Sequence, residues 1–305
     1  MNTILGKKHY RRSFYTIVIL ALVLAVVVRF LGLPYLDDQL SVGFLTFCAI
    51  LLDGFVVSFI VTVFIGSYIF WLSPELVRES EMDVVEPKEI GPLLSQALTD
   101  TRKWVYKGAC GRYTRATTLP RLAKAARHKG IGRDVRIVIL DPADDQLCEA
   151  YATYRRSLKS ANPNDPWTAN RVKEEVLATI VTAFCFKHEE PLLTIDLFLI
   201  NHFSAFRLDI SDRYVVVTKE DKEAAGLRAD ANTYFYDSYV DDVRLSERQG
   251  KEVRFNEQVP AKGRIQTTEL KKVIIDAELL PEAKLEELDL DLILNAVSNP
   301  KDPYS

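Results

Sequence analysis

Two long apolar runs near the start constrain what this chain can fold into more than any other feature. Ser13–Leu33 and Ser41–Leu72 hold 21 and 32 residues, and each carries a single charge, Arg29 in the first and Asp53 in the second. A helix of about 20 apolar residues covers the hydrocarbon core of a bilayer. Both runs meet that length, and the second leaves residues over for tilt or for a helix that continues past the membrane. The connecting "GLPYLDDQ" has room only for a tight turn. The expected element is therefore a transmembrane helical hairpin over residues 13–72, with spans at 13–33 and 43–71. Cleavage as a signal peptide is not expected, because the first apolar stretch is too long and no small-residue site closes it.

Lysine and arginine set the expected orientation. Lys7, Lys8, Arg11 and Arg12 precede the first run, in a basic segment over residues 1–12, while the turn carries Asp37 and Asp38 and no basic residue. The reading is a multi-pass protein of a bacterial inner membrane with both termini in the cytoplasm. Arg29 is near the outer end, where it can snorkel to the interface. Asp53 is deeper. A charge at the centre of a span costs about 2.5 to 3.5 kcal/mol, so Asp53 is expected to face a neighbouring helix or a water-filled space, with Arg29 as its simplest partner. Gly54, Ser58, Gly66 and Ser67 offer a small-residue face for close helix approach. Self-association into a homo-oligomer is the expectation that follows, with the lipid bilayer as the first partner.

The remainder is of ordinary composition. Of 305 residues, 27% are charged and 48% hydrophobic, with a formal net charge of -3. No long basic stripe stands out, so direct nucleic-acid binding is not expected. Cys48, Cys110, Cys148 and Cys185 have neither C-x-x-C spacing nor a zinc-ligand arrangement with histidine. No metal or other cofactor is expected, and free thiols suit a reducing compartment.

After the hairpin, residues 73–92 read as a linker. Ser73 and Pro74 are placed to start a short helix, and "EPKEIGP" reads as loop. A domain over 93–278 then alternates helical periodicity with β-branched runs. "DVRIVILDP", "PLLTIDLFLINH", "AFRLDIS" and "RYVVVT" read as strands, and "TYFYDS" as a further short one. "TTLPRLAKAARHKG", "ADDQLCEAYATYRRS" and "WTANRVKEEVLATIVTAFCFKH" read as helices. Pro120 suits the first turn of its helix, and Gly130 its cap. That alternation gives an α/β class. The tail, 279–305, is acidic and amphipathic, which fits a solvated surface helix or a partner-binding one.

Two stretches invite a chemical reading. "KGACGRYTR" sets Lys107, Arg112 and Arg115 beside a helix start, a possible anion site, although the G-K-[ST] of a Walker loop is missing. "YFYDSY" packs Tyr234, Phe235, Tyr236 and Tyr239, a base-stacking composition that serves core packing equally well.

"SAFRLDISDRYVVV" resembles the catalytic strand of phospholipase D-type enzymes, whose pattern H-x-K-x-x-x-x-D precedes a β-branched run. Arg207 stands at the lysine position, Asp212 at the aspartate and Ala205 at the histidine. The resemblance implies a phospholipase D-like mixed sheet with flanking helices over roughly 95–250. In that family the histidine attacks phosphorus. Alanine cannot, and none of His9, His128, His188 and His202 restores the motif. The implied unit is degenerate, and no catalytic residue is assigned.

The whole layout is similar to that of two-transmembrane effectors of bacterial anti-phage defence systems, of the retron or cyclic-nucleotide type. It implies a sensor domain that controls a membrane-disrupting hairpin in abortive infection. A reverse transcriptase with its nucleic acid, or a nucleotide second-messenger system, would be the partner. Two other classes stay open: a membrane-anchored phosphodiesterase or nuclease, and a passive scaffold that holds a cytoplasmic partner.

Overall fold

The computed structural model describes residues 8–33, 42–72, 82–221, 223–254, 259–260 and 262–303. Lys7, the turn with Asp37 and Asp38, and the helix start at Ser73 and Pro74 lie outside them. The chain divides into two compact units, Met1–Ser80 and Glu81–Ser305.

The first unit contains α1 (Lys8–Val27), which continues through a π-helical turn (Val28–Gly32), and α2 (Val42–Leu72). Both are long and apolar enough to cross a membrane. They run antiparallel, since Tyr15 near the start of α1 meets Ser67 near the end of α2, with the two hydroxyls 2.9 Å apart. Most of their large apolar side chains, such as Leu20, Phe55 and Phe64, are exposed. An apolar surface of this extent marks a face that meets a membrane or another protein.

The second unit is mixed α/β around one eight-stranded sheet. Its strands are β1 (Asp83–Val85), β2 (Lys103–Lys107), β3 (Arg133–Leu140), β4 (Leu193–Ile200), β5 (Phe206–Ser211), β6 (Tyr214–Lys219), β7 (Gly226–Asp230) and β8 (Lys251–Glu252). The spatial order is β1-β7-β6-β5-β2-β3-β4-β8. Only β2, β3 and β4 are parallel, and every other pairing is antiparallel. The parallel trio requires helical crossovers. Its connections are α4 (Leu119–Lys129), then α5 (Asp145–Arg156) and α6 (Ala169–Glu189).

The pleat sorts the residues of each strand between two faces. On one face, Trp104, Tyr106, Val135, Ile137, Ile195 and Leu197 are buried and carry the core. α3 (Pro87–Asp100) and α6 pack there: Tyr214 donates to the Leu93 carbonyl at 2.8 Å. On the other face, Lys103, Asp134, Arg136 and Thr194 remain exposed. That face is crossed by α7 (Tyr234–Gln249), held by Arg136 to Glu247 at 3.0 Å and by the Tyr236 hydroxyl donating to the Ser211 carbonyl at 2.8 Å.

Three expectations need correction. The stretch read as linker up to residue 92 already belongs to the folded unit: β1 pairs with β7, and α3 starts at Pro87. Proline at a first helical position and Ile90 buried beneath it explain why "EPKEIGP" is helix rather than loop. "TYFYDS" opens α7 and is no strand. Thr233 caps it, and Tyr236, Val240 and Val243 share one helical face, so the 3.6 period outweighs the aromatic β preference. The strand in this region is β7, just upstream.

The tail is the third case. Residues 279–303 are not a solvated face but a closing part of the core. α8 (Thr267–Asp276), the short α9 (Glu282–Leu285) and α10 (Leu290–Ser298) follow each other, and α10 packs on α6 with Ile293 and Val297 fully buried. The amphipathic pattern finds its partner within the same chain.

Candidate functional site

In the first unit, the two charged residues meet. Arg29 Nε donates to Asp53 Oδ1 at 3.0 Å and Oδ2 at 3.3 Å. Asp53 is eleven residues into α2, about 16 Å along its axis at 1.5 Å per residue. That is about half the depth of a bilayer core. Arg29 belongs to the π-helical turn that ends α1. Such turns re-aim side chains and recur at functional positions. The pair remains 36% and 56% exposed at its two side chains, so the two helices alone do not enclose it.

In the second unit, the carboxyl ends of β2, β3 and β4 lie at one edge of the sheet, where β5 starts and β6 ends. Ligands of open α/β sheets bind outside this edge, where strand order reverses. Here β2 has parallel β3 on one side and antiparallel β5 on the other. The chain leaves β2 through Gly108–Gly111. A Cβ on Gly108 would be 2.3 Å from the Tyr106 hydroxyl, and Gly111 holds φ +67° with its missing Cβ 2.7 Å from Thr179 Cγ2. Glycine at 111 lets the backbone pass close to α6, and glycine at 108 leaves room for the Tyr106 and Arg207 side chains.

Behind this loop, on the core face, is a cluster of buried charges. Glu175 of α6 is ion-paired with Arg115 and is 3.5 Å from Arg112. Arg155 holds Glu220 at 2.8 Å and stacks on Trp167 at 4.6 Å. Arg207 Nε donates to Asp209 Oδ2 at 2.8 Å, with both side chains almost wholly buried. Burial raises the carboxyl of Asp209 above its ordinary value, although Arg207 opposes the shift. Each of these arginines is matched by a carboxylate. A cavity of about 50 Å³ lies among them, lined by Tyr106, Arg112, Arg155 and Arg207, too small for a nucleotide. Cys110 also lines it, and burial pushes that thiol well above its usual range, away from a nucleophilic thiolate.

The structure separates residues that the sequence had grouped. Lys107 is an odd position of β2 and points to the α7 side, where its Nζ is 2.8 Å from Asp242 Oδ2. Arg112 and Arg115 are on the core side with Glu175. The sheet therefore divides the proposed anion site, and both halves are already neutralised. Ala205 precedes β5 in a loop. Arg207 turns into the core. Asp212 lies past the end of β5 and accepts hydrogen bonds from the amides of Arg102 at 2.5 Å and Lys103 at 3.2 Å. It ties the β5–β6 turn to the start of β2, a turn former's task. The three positions of the phospholipase D-like pattern do not converge on one point.

Asp209, Glu175, Glu220 and Asp242 went unnoticed in the sequence. One signal was present: Arg207 and Asp209 are two apart in a strand, hence on one face.

No family model matches the sequence, and no curated protein is significantly similar to it. Among solved structures, the chain is similar to that reported as "Structure of TrmBL2, an archaeal chromatin protein, shows a novel mode of DNA binding", with 10% identity and a TM-score of 0.33. The match covers 68% of this chain and 66% of that one, just under two thirds. A likeness of that strength assigns neither fold nor binding.

Proposed function

We propose that the chain is a membrane effector, in which the sheet domain controls a transmembrane hairpin whose clustering breaches a bacterial inner membrane. Both termini are then cytoplasmic, as the basic start and acidic turn favour. The observation that carries this reading is the Arg29–Asp53 pair. A charge at mid-bilayer, the depth of Asp53, costs about 2.5 to 3.5 kcal/mol, and an anchor is served equally well by leucine. Pairing lowers the cost, yet 36% of the Arg29 side chain and 56% of the Asp53 side chain stay uncovered by the hairpin. A second hairpin or a water-filled seam would cover the remainder, which favours self-association. The layout is that of two-transmembrane effectors of anti-phage abortive infection, retron or cyclic-nucleotide type, an analogy of architecture.

A phospholipase D-type hydrolase has less support, since Arg207 is committed to Asp209 and Ala205 offers no nucleophile. The passive scaffold shares the hairpin but gives the charges no task. Expression in bacteria with a potential-sensitive dye separates them. The effector reading expects wild type to depolarise the membrane and Asp53→Leu to abolish this at equal membrane abundance. Equal depolarisation by both would refute it, and none by either would leave the scaffold.

A further inference from the structure

We propose that the cleft between the start of α7 and the open face of the sheet binds a guanine nucleotide, with its base stacked on Phe206 and Tyr234. The cleft is about 440 Å³, within the range of small-molecule sites. It opens at the carboxyl end of β2, beside Lys107, and α/β sheets bind ligands outside the carboxyl ends of their parallel strands. Two large aromatic faces are left in solvent there: Phe206 is 47% exposed and Tyr234 is 61% exposed. Phe235 meets Tyr234 edge-on with ring centroids 5.4 Å apart, which fixes one wall. Exposed neighbouring aromatics forgo burial that a planar ring would supply.

The polar floor reads a particular base edge. Lys107, with an 8% exposed side chain, holds Asp242 Oδ2 at 2.8 Å, while the Asp242 side chain is 53% exposed. The lysine keeps donors beyond that bond, and the carboxylate keeps its second oxygen, Oδ1. A donor thus lies beside a pair of acceptors. Guanine presents the complement in order: the O6 acceptor, then the N1–H and N2–H₂ donors. Adenine, cytosine and uracil each offer the carboxylate fewer adjacent donors. Lys219 stands beside the cleft rather than in its lining: it is paired with Phe206 across β5 and β6, its Nζ is 5.6 Å from the centroid of the Phe206 ring, and no carboxylate pairs with it among the described residues. A phosphate on the stacked nucleoside would find this cation at the rim.

This inference deepens the effector reading by naming the chemical class of the signal. Binding is measured without reference to membrane permeability, so either idea can fail alone. The full chain in detergent micelles would be titrated by calorimetry with GMP, AMP, CMP, UMP, guanosine, inorganic phosphate and a single-stranded oligonucleotide. GMP should bind about tenfold or more tightly than AMP, the discrimination that a bidentate edge contact gives. Phe206→Ala and Tyr234→Ala should each weaken GMP by about tenfold, as lost stacking does. Both side chains are exposed, and unchanged circular dichroism would show that the variants fold. Asp242→Asn should erase the preference for guanine. Lys219→Ala should bring GMP down to the affinity of guanosine and leave guanosine unchanged. The proposal is overturned by absence of saturable GMP binding at millimolar concentration, by equal affinity for the four bases, by binding that survives both aromatic substitutions, or by preference for the oligonucleotide over GMP.

Discussion

Replacing Arg207 by methionine tests whether the charge cluster behind the β2 loop is a structural unit. The substitution leaves Asp209 in place with its side chain wholly buried and its ion-pair partner Arg207 gone. Breaking one side of a buried pair costs about 3 to 5 kcal/mol. A second route to the magnitude is protonation. If Asp209 takes up a proton at pH 7 from an ordinary value of about 3.9, the cost is about 3.1 × 1.36, or about 4 kcal/mol. That is a ceiling, because burial already raises this carboxyl in the native protein, so the expected loss is about 3 kcal/mol. The sign with pH follows. A carboxyl raised on folding makes the native state hold more protons than the unfolded one, so stability falls as pH rises. The variant should therefore lose stability steeply from pH 4 to 7, by up to about 1.4 kcal/mol per unit, and the native protein less so. Hydrogen exchange of the β5 amides in the full chain, corrected for intrinsic rates, reads the opening free energy. Arg207→Met with Asp209→Leu should recover most of the loss, since an apolar pair often replaces a buried ionic one without penalty. A loss under about 1 kcal/mol with no added pH slope would refute the reasoning, because Asp209 would then have to reach water.

Truncation and thiol chemistry supply two further checks. A fragment starting at Glu81 should fold, by circular dichroism and exchange, whereas one starting at Leu93 lacks β1 and the buried Ile90 and should lose about 2 to 5 kcal/mol or fail to fold; equal stability of the two would contradict the placement of α3. Cys110, Cys148 and Cys185 are buried, and burial raises the latter two thiols to about 12. All three should resist a thiol reagent at pH 7 until denaturant is added, and rapid native labelling of any of them would count against the packing of α5 and α6.

The class of the second unit was legible because β-branched strands and capped helices state their periods locally. Gly130 illustrates this: its φ of +63° is the left-handed cap that its position after α4 announced. The strand order was not legible, since antiparallel β5 beside β2 is a long-range pairing that no local period encodes. The tail shows the same limit. Its apolar stripe was visible, but whether α6, water or another protein covers it depends on the tertiary fold. In the site, the grouping of Lys107 with Arg112 and Arg115 failed for a simple reason: proximity in sequence ignores the pleat, which sends Lys107 to one face while the loop carries the arginines to the other. The Arg29–Asp53 contact was anticipated on electrostatic cost alone, because an apolar environment leaves few ways to accommodate two charges.

The central claim is that this pair serves permeation rather than anchoring. The most direct test is dye release from proteoliposomes containing the purified full chain, with wild type, Asp53→Leu, and the exchanged pair Arg29→Asp with Asp53→Arg. The account predicts release by wild type, none by Asp53→Leu at equal incorporation, and partial recovery on exchange, since the ion pair is restored with its ends reversed. Equal release by wild type and Asp53→Leu, or tight vesicles with wild type at every protein density, would contradict it.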